Sequence, residues 1–180
     1  MSCEYYSDDQ FKQKFDSEKG LSIIHFNCRS LYANFSSLET YLNELNLKFD
    51  IIAISETWLN LDSNTALYEL DGYDMFHVDR SNRRGGGVAV YVKNSLAYKV
   101  IDKMCTEIND VLEFVSIEIC VKNKKNVIVS CLYRQPGSST ETLTDHIEKM
   151  YRNKKSDIYL CGDLMLISLI MAVKLVLEIL

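Results

Sequence analysis

"LSIIHFNCRSLYANFSSLETYLNELNLKFDIIAIS", residues 21–55, decides the fold class. Its first six residues form a short apolar run, strand-like in length and branching. Phe35, Leu38, Leu42 and Leu45 then recur at helical spacing, and Ser36 with Glu39 offers a capping box at the start of that helix. "DIIAIS" (50–55) is a second apolar run of strand length. Strand, amphipathic helix and strand in that order predict a β-α-β unit with parallel strands.

Outward from this unit the pattern stays strand-rich. "YDMFHV" (73–78) and "GVAVYVK" (87–93) read as strands flanking the glycine-rich turn "RSNRRGG" (80–86). "VSIEI" (115–119) alternates like a half-buried strand, and "NVIVSCLY" (126–133) follows the lysine-rich turn "KNKK" (122–125). Ser138 and Glu141 could box-cap a helix that places Leu143, Ile147 and Met150 on one face, and "DIYLCG" (157–162) is a last strand. Residues 1–20 are polar and aperiodic, which predicts a linker or disordered arm. Periodicity alone therefore stops at a layered α/β domain.

The chain has 180 residues, enough for one domain with a sizeable core. Its composition is that of a globular protein, with 47% hydrophobic and 25% charged residues, which argues against disorder. A formal net charge of −5 does not describe a protein held to nucleic acid by overall charge. Local basic clusters exist at Arg80, Arg83 and Arg84, at Lys122, Lys124 and Lys125, and at Arg152, Lys154 and Lys155. Such clusters are more often solvated faces than phosphate tracks. Six cysteines without a C-x-x-C pair fit neither a zinc site nor a disulfide framework, and Cys120, Cys131 and Cys161 read as small core residues. No secretory signal is visible, so a nuclear or cytoplasmic protein is expected.

Polar residues recur where apolar strands end: Asn27 and Arg29, Glu56, Tyr133 and Arg134, and Asp163. Strand ends are where α/β folds gather sites. Glu, Asp and Asn together suggest oxygen ligation of a hard cation such as Mg²⁺, with Tyr and Arg donating to phosphate. The alternative is that Asn27, Glu56 and Asp163 merely cap turns and helices, which is the commoner use of such residues.

At these positions five motifs occur in order: "IIHFNCRSL" (23–31), "DIIAISETWL" (50–59), "GYDMFHVDRSNRRGGGVAVYVKNSL" (72–96), "SCLYRQPGSS" (130–139) and "DIYLCGD" (157–163). Over roughly residues 21–163 they resemble the endonuclease domain of LINE-type (non-LTR) retrotransposons. That domain is a branch of the endonuclease/exonuclease/phosphatase family, whose fold is that of DNase I and the apurinic endonucleases. The resemblance implies a four-layer α/β sandwich, incomplete here at its C-terminus. It also implies hydrolysis of a DNA phosphodiester with Mg²⁺ or Mn²⁺ and no small-molecule cofactor, nicking a target to expose a 3′ hydroxyl for reverse transcription. By resemblance Glu56 binds the metal and Asn27 lies near it. Tyr133 contacts the scissile phosphate, Asp163 orients or activates the attacking water, and Arg134 and Arg29 lie toward phosphate or DNA.

Two departures bear on activity. Met165 stands where the family's G-D-x-N motif has Asn, and a thioether is a weak acceptor. The family's closing segment, ending in Ser-Asp-His, has no counterpart, and His25, His77 and His146 match no catalytic family position. The resemblance thus predicts an impaired or inactive copy, with a non-catalytic binding remnant or another phosphatase or phosphodiesterase of the superfamily as alternatives. Residues 164–180 are almost wholly aliphatic, interrupted by Lys174 and Glu178, and are short for a membrane span. They read as a tail foreign to the domain, from a one-base frameshift or a misplaced gene end.

Overall fold

A computed structural model describes residues 6–15, 20–81, 84–108 and 111–163, together with the backbone of 174–175. In chain order the elements are α1 (Asp8–Lys14), β1 (Ile23–Asn27), α2 (Leu31–Leu45), β2 (Ile51–Ser55), β3 (Tyr73–Val78) and β4 (Val88–Lys93). They continue with β5 (Tyr98–Ile108), β6 (Leu112–Ile119), β7 (Val127–Arg134), α3 (Thr140–Tyr151), β8 (Asp157–Asp163) and β9 (Lys174–Leu175). One sheet has the order β1-β2-β4-β3 and the other β5-β6-β7-β8-β9. The expected β-α-β unit is present, since β1 and β2 pair in parallel with α2 between them, and β7 pairs in parallel with β8 across α3.

Alternation along the strands sorts the apolar residues into three layers of core. Ile24, Ile52, Ile54 and Tyr91 face α2, burying Leu31, Leu38 and Leu45. Ile51, Ala53, Val88, Val90 and Val92 meet Val115, Ile117, Val129 and Cys161 between the sheets. Leu112, Phe114, Ile128, Leu132 and Leu160 receive Leu143, Ile147 and Tyr151 of α3. Each sheet is thus covered on both faces, which makes the four-layer α/β sandwich.

Covering both faces explains one difference from the sequence pattern. β6 was expected to be half-buried, yet seven of its eight residues are buried, because α3 closes the face that alternation would leave wet. The α2 start also differs. Ser30 is the N-cap, its Oγ accepting from the Ala33 N–H at 3.4 Å, so Ser36 and Glu39 lie inside the helix. Leu31 is fully buried and carries the helical stripe back one turn, which outweighs the capping signal further on. In α3 the cap is likewise Ser139 and not Ser138. Residues 8–14, within the segment read as an arm, form α1 with a capping box between Ser7 and Gln10. β5 is a further strand that the sequence pattern, lacking clear alternation there, does not predict. Cys131 and Cys161 are buried as expected, whereas Cys120 is only half-buried. Met165 and most of the aliphatic tail lie outside the described residues. Among the described residues no helix is long and apolar enough to cross a membrane.

Candidate active site

The carboxyl ends of the parallel strands converge where the two sheets face each other. Asn27 ends β1 and Asp163 ends β8, while Glu56 immediately follows β2. The Asn27 amide nitrogen donates to Glu56 Oε1 at 3.0 Å and to Asp163 Oδ2 at 3.2 Å. One neutral amide therefore gathers a carboxylate from each sheet, where two like charges left to themselves would separate. The Asn27 side-chain Oδ1 also accepts from the Arg29 N–H at 3.3 Å, so the turn-capping role expected of Asn is present alongside its bonds to the two carboxylates.

Backbone geometry keeps Glu56 in place. Its φ is 55°, and Arg29, Ser30 and Trp58 also adopt positive φ, a conformation that disfavours residues other than glycine. Such strain persists only when neighbours over-determine it. Here Cys28 N–H donates to Ser55, Ser30 N–H to Glu56 and Leu31 N–H to Thr57, at 3.0, 2.8 and 2.9 Å, which ties the loop after β2 to the loop after β1. From the other side, Thr57 N–H donates to the Gly87 carbonyl at 3.2 Å and Trp58 N–H to that of Gly86 at 2.9 Å.

Tyr133 occupies the other wall. In the sheet register Glu113 lies opposite Tyr133, and Tyr133 opposite Asp163, so the three form one row across β6, β7 and β8. Tyr133 is buried, and the Arg80 guanidinium stands 5.5 Å from its ring centroid. Arg80 Nε donates to Glu113 Oε1 at 2.7 Å, with the two side chains 5% and 0% exposed. Burial pushes the Tyr133 phenol above its ordinary pKa; Glu56, Asp163 and Glu113 push it the same way, and Arg80 opposes them. Burial also raises the Glu113 carboxyl, and Arg80 and a backbone bond with Gly87 pull it back. The basic cluster in the sequence suggests a solvated Arg80; in the fold it is a buried countercharge. The available signal was Glu113, an acidic residue in an apolar strand, which demands a cation.

The remaining candidates separate. Arg29 is exposed beside Asn27. Arg134, expected to face phosphate, is 6% exposed, and its guanidinium donates to the Ser138 carbonyl at 2.5 Å, bracing the turn after β7. His25 bonds Ser55 Oγ, His77 bonds Asp79 and His146 bonds the Thr142 carbonyl, each within the scaffold.

Among the described residues no cluster of three or more His, Cys, Asp or Glu could cage a metal ion. Mg²⁺ does not require one, since it commonly takes one or two carboxylates, several waters and substrate phosphate oxygens. The all-oxygen donor set of Glu56 and Asp163, held together by Asn27, fits a hard cation on those terms.

A family model described as the endonuclease/exonuclease/phosphatase family matches residues 24–164. Among solved structures, the apurinic endonuclease LMAP of Leishmania major is similar at 20% identity and a TM-score of 0.53, over 76% of this chain and 46% of that one. The 3′ phosphatase NExo of Neisseria, bound to a product DNA hairpin, is similar at 16% identity and 0.52, over 79% and 57%. Truncated TDP2 of Caenorhabditis elegans is similar at 16% and 0.53, over 81% and 62%. The chain thus spans about half to three-fifths of the length of these structures, and at such identities the likeness is one of fold. No curated protein matches the sequence.

Proposed function

Since this chain belongs to the endonuclease/exonuclease/phosphatase family, we propose that it carries a metal-dependent site for hydrolysing a DNA phosphodiester, built on Asn27, Glu56, Tyr133 and Asp163. The observation that carries this reading is the Asn27 amide, which holds Glu56 and Asp163 of opposite sheets on one donor. Structural capping alone gives no reason for two carboxylates to meet.

Mg²⁺ or Mn²⁺ held by Glu56 would supply charge neutralisation at a phosphoryl oxygen. The chain's own residues do the rest. Asn27 fixes both carboxylates, so that neither needs to reorganise during reaction. Asp163 accepts a hydrogen bond from the attacking water and aims it for in-line displacement. Tyr133, whose phenol is held protonated by burial and by its carboxylate neighbours, donates to a non-bridging phosphate oxygen. Arg29 offers an exposed guanidinium to the neighbouring backbone phosphate, while Arg134 acts by holding the end of the Tyr133 strand.

Within the superfamily, "RRGGGVAVYV" and "LYRQPG" favour the mobile-element branch, in which the domain nicks target DNA for a LINE-type retrotransposon. Turnover is slow, because Met165 replaces the motif's Asn. The test is relaxation of supercoiled plasmid with Mg²⁺, alongside release of phosphate from a 3′-phosphorylated oligonucleotide. Nicking that depends on Glu56 supports the endonuclease. Phosphate release without nicking favours a phosphatase, and metal-dependent retention of DNA without either leaves a binding module.

A further inference from the structure

The buried turn at Gly86 and Gly87 touches both halves of the site. Its carbonyls accept the Trp58 and Thr57 N–H groups, which flank the strained Glu56 loop on one sheet. On its other side the turn packs at Gly86 against the Arg80 guanidinium, which bonds Glu113 of the other sheet, in the row that contains Tyr133. Both glycines have positive φ, +69° and +80°. Neither has room for a side chain. A Cβ on Gly86 would enter the Arg80 guanidinium, and one on Gly87 would enter Thr57 Oγ1. Arg80 in turn reaches Glu113 and the Tyr133 ring.

We propose that the Gly86–Gly87 turn is the positioning element that sets the Glu56 loop of one sheet against the Tyr133 row of the other. The inference rests on the reading of Glu56 as a metal ligand. Free backbone at these two positions lets the chain bond Thr57 and Trp58 on one side and pack closely against Arg80 on the other. A displaced turn releases Thr57 and Trp58, and Glu56 then relaxes from its strained φ. This explains glycine at the last two of the three positions after the arginines better than a flexible hairpin does, since a mobile turn would need neither burial nor contact.

Terbium provides a readout that needs neither DNA nor turnover. Tb³⁺ is a hard cation with oxygen preference, and Trp58, the single tryptophan, lies two residues from Glu56 and can sensitise its luminescence. Gly87→Ala is expected to weaken Tb³⁺ binding by about ten- to a hundredfold, as loss of an outer support does at metal sites. Gly72→Ala, at φ +82° with nothing within 4 Å, carries the same backbone strain without the contact and should match the unsubstituted chain. Thr57→Ala combined with Gly87→Ala removes the obstructing hydroxyl and should restore affinity.

Glu56-dependent Tb³⁺ binding that Gly87→Ala leaves unchanged overturns the inference alone. Absence of any Glu56-dependent binding in the unsubstituted chain overturns the metal reading beneath it as well. Should Gly87→Ala not fold, amide exchange in the unsubstituted chain decides: Thr57 and Trp58 N–H protected like β2 support the turn's role, and exchange at open-loop rates overturns it.

Discussion

Replacing Glu113 by Leu isolates the electrostatics under the site. The Arg80–Glu113 pair is 2.7 Å long and almost wholly out of water. Breaking such a pair strands a buried charge, at a cost of about 3–5 kcal/mol. For a domain of this size each kcal/mol lowers Tm by about 2–4 °C, so Glu113→Leu should melt about 6–20 °C below the unsubstituted chain. The intact pair, however, is not a large net stabiliser. Burial raises the Glu113 pKa despite Arg80 and Gly87, so desolvation offsets much of the attraction. Arg80→Met with Glu113→Leu should therefore recover most of the lost stability. Urea unfolding followed by Trp58 fluorescence, with calorimetry, measures both variants. A single variant costing under about 1 kcal/mol, or a double variant no better than the single, would mean that the pair carries no such buried charge.

Three further outcomes follow from the same structure. His25 is buried and its pKa is lowered from 6.5 to about 4, so it folds neutral. Stability from this group is complete above about pH 6.5 and falls toward pH 4 as the unfolded chain takes up the proton, by about 3 kcal/mol in total. Comparing urea midpoints of the unsubstituted chain and His25→Gln across that window should show the slope in the former alone. Leu143→Ala empties a fully buried position on the inner face of α3 and should cost about 2–5 kcal/mol by denaturation. Tyr133→Phe keeps the ring beside Arg80, so its unfolding midpoint should hold while nicking falls by about 10²-fold, the scale for one lost transition-state donor.

Much of this molecule is legible in its strands. "IIHFN" and "IIAIS" are short, branched and apolar, and only burial on both faces suits them, so β1 and β2 could be read with their parallel crossover. β5, "YKVIDKMCTEI", could not. Its charged and apolar residues fall out of alternation, and its register with β6 shifts between Val100 and Cys105, which breaks the period that would announce a strand. The α2 start differs from the local signal because Ser36 and Glu39 satisfy a local rule, whereas Leu31 is recruited by tertiary packing.

The site divides in the same way. Asn27, Glu56 and Asp163 sit at strand ends, and sequence order suffices to mark them. That one amide would bind both carboxylates depends on how two sheets face each other, which no spacing encodes. Arg80 and Arg134 show the limit for charges. Both lie within the motifs that carry the family resemblance, yet both are buried and engaged with Glu113 and Ser138. Composition counts a cation; only packing says whether its partner is a substrate or the protein.

Mg²⁺-dependent relaxation of supercoiled plasmid, run in parallel on the unsubstituted chain, Glu56→Ala and Asp163→Ala, shows whether these two carboxylates hydrolyse DNA. Slow nicking is expected, abolished by EDTA and lowered by about 10²-fold or more by each substitution. Nicking at equal rates in all three, or no metal-dependent nicking in any, would contradict a hydrolytic role for the two carboxylates.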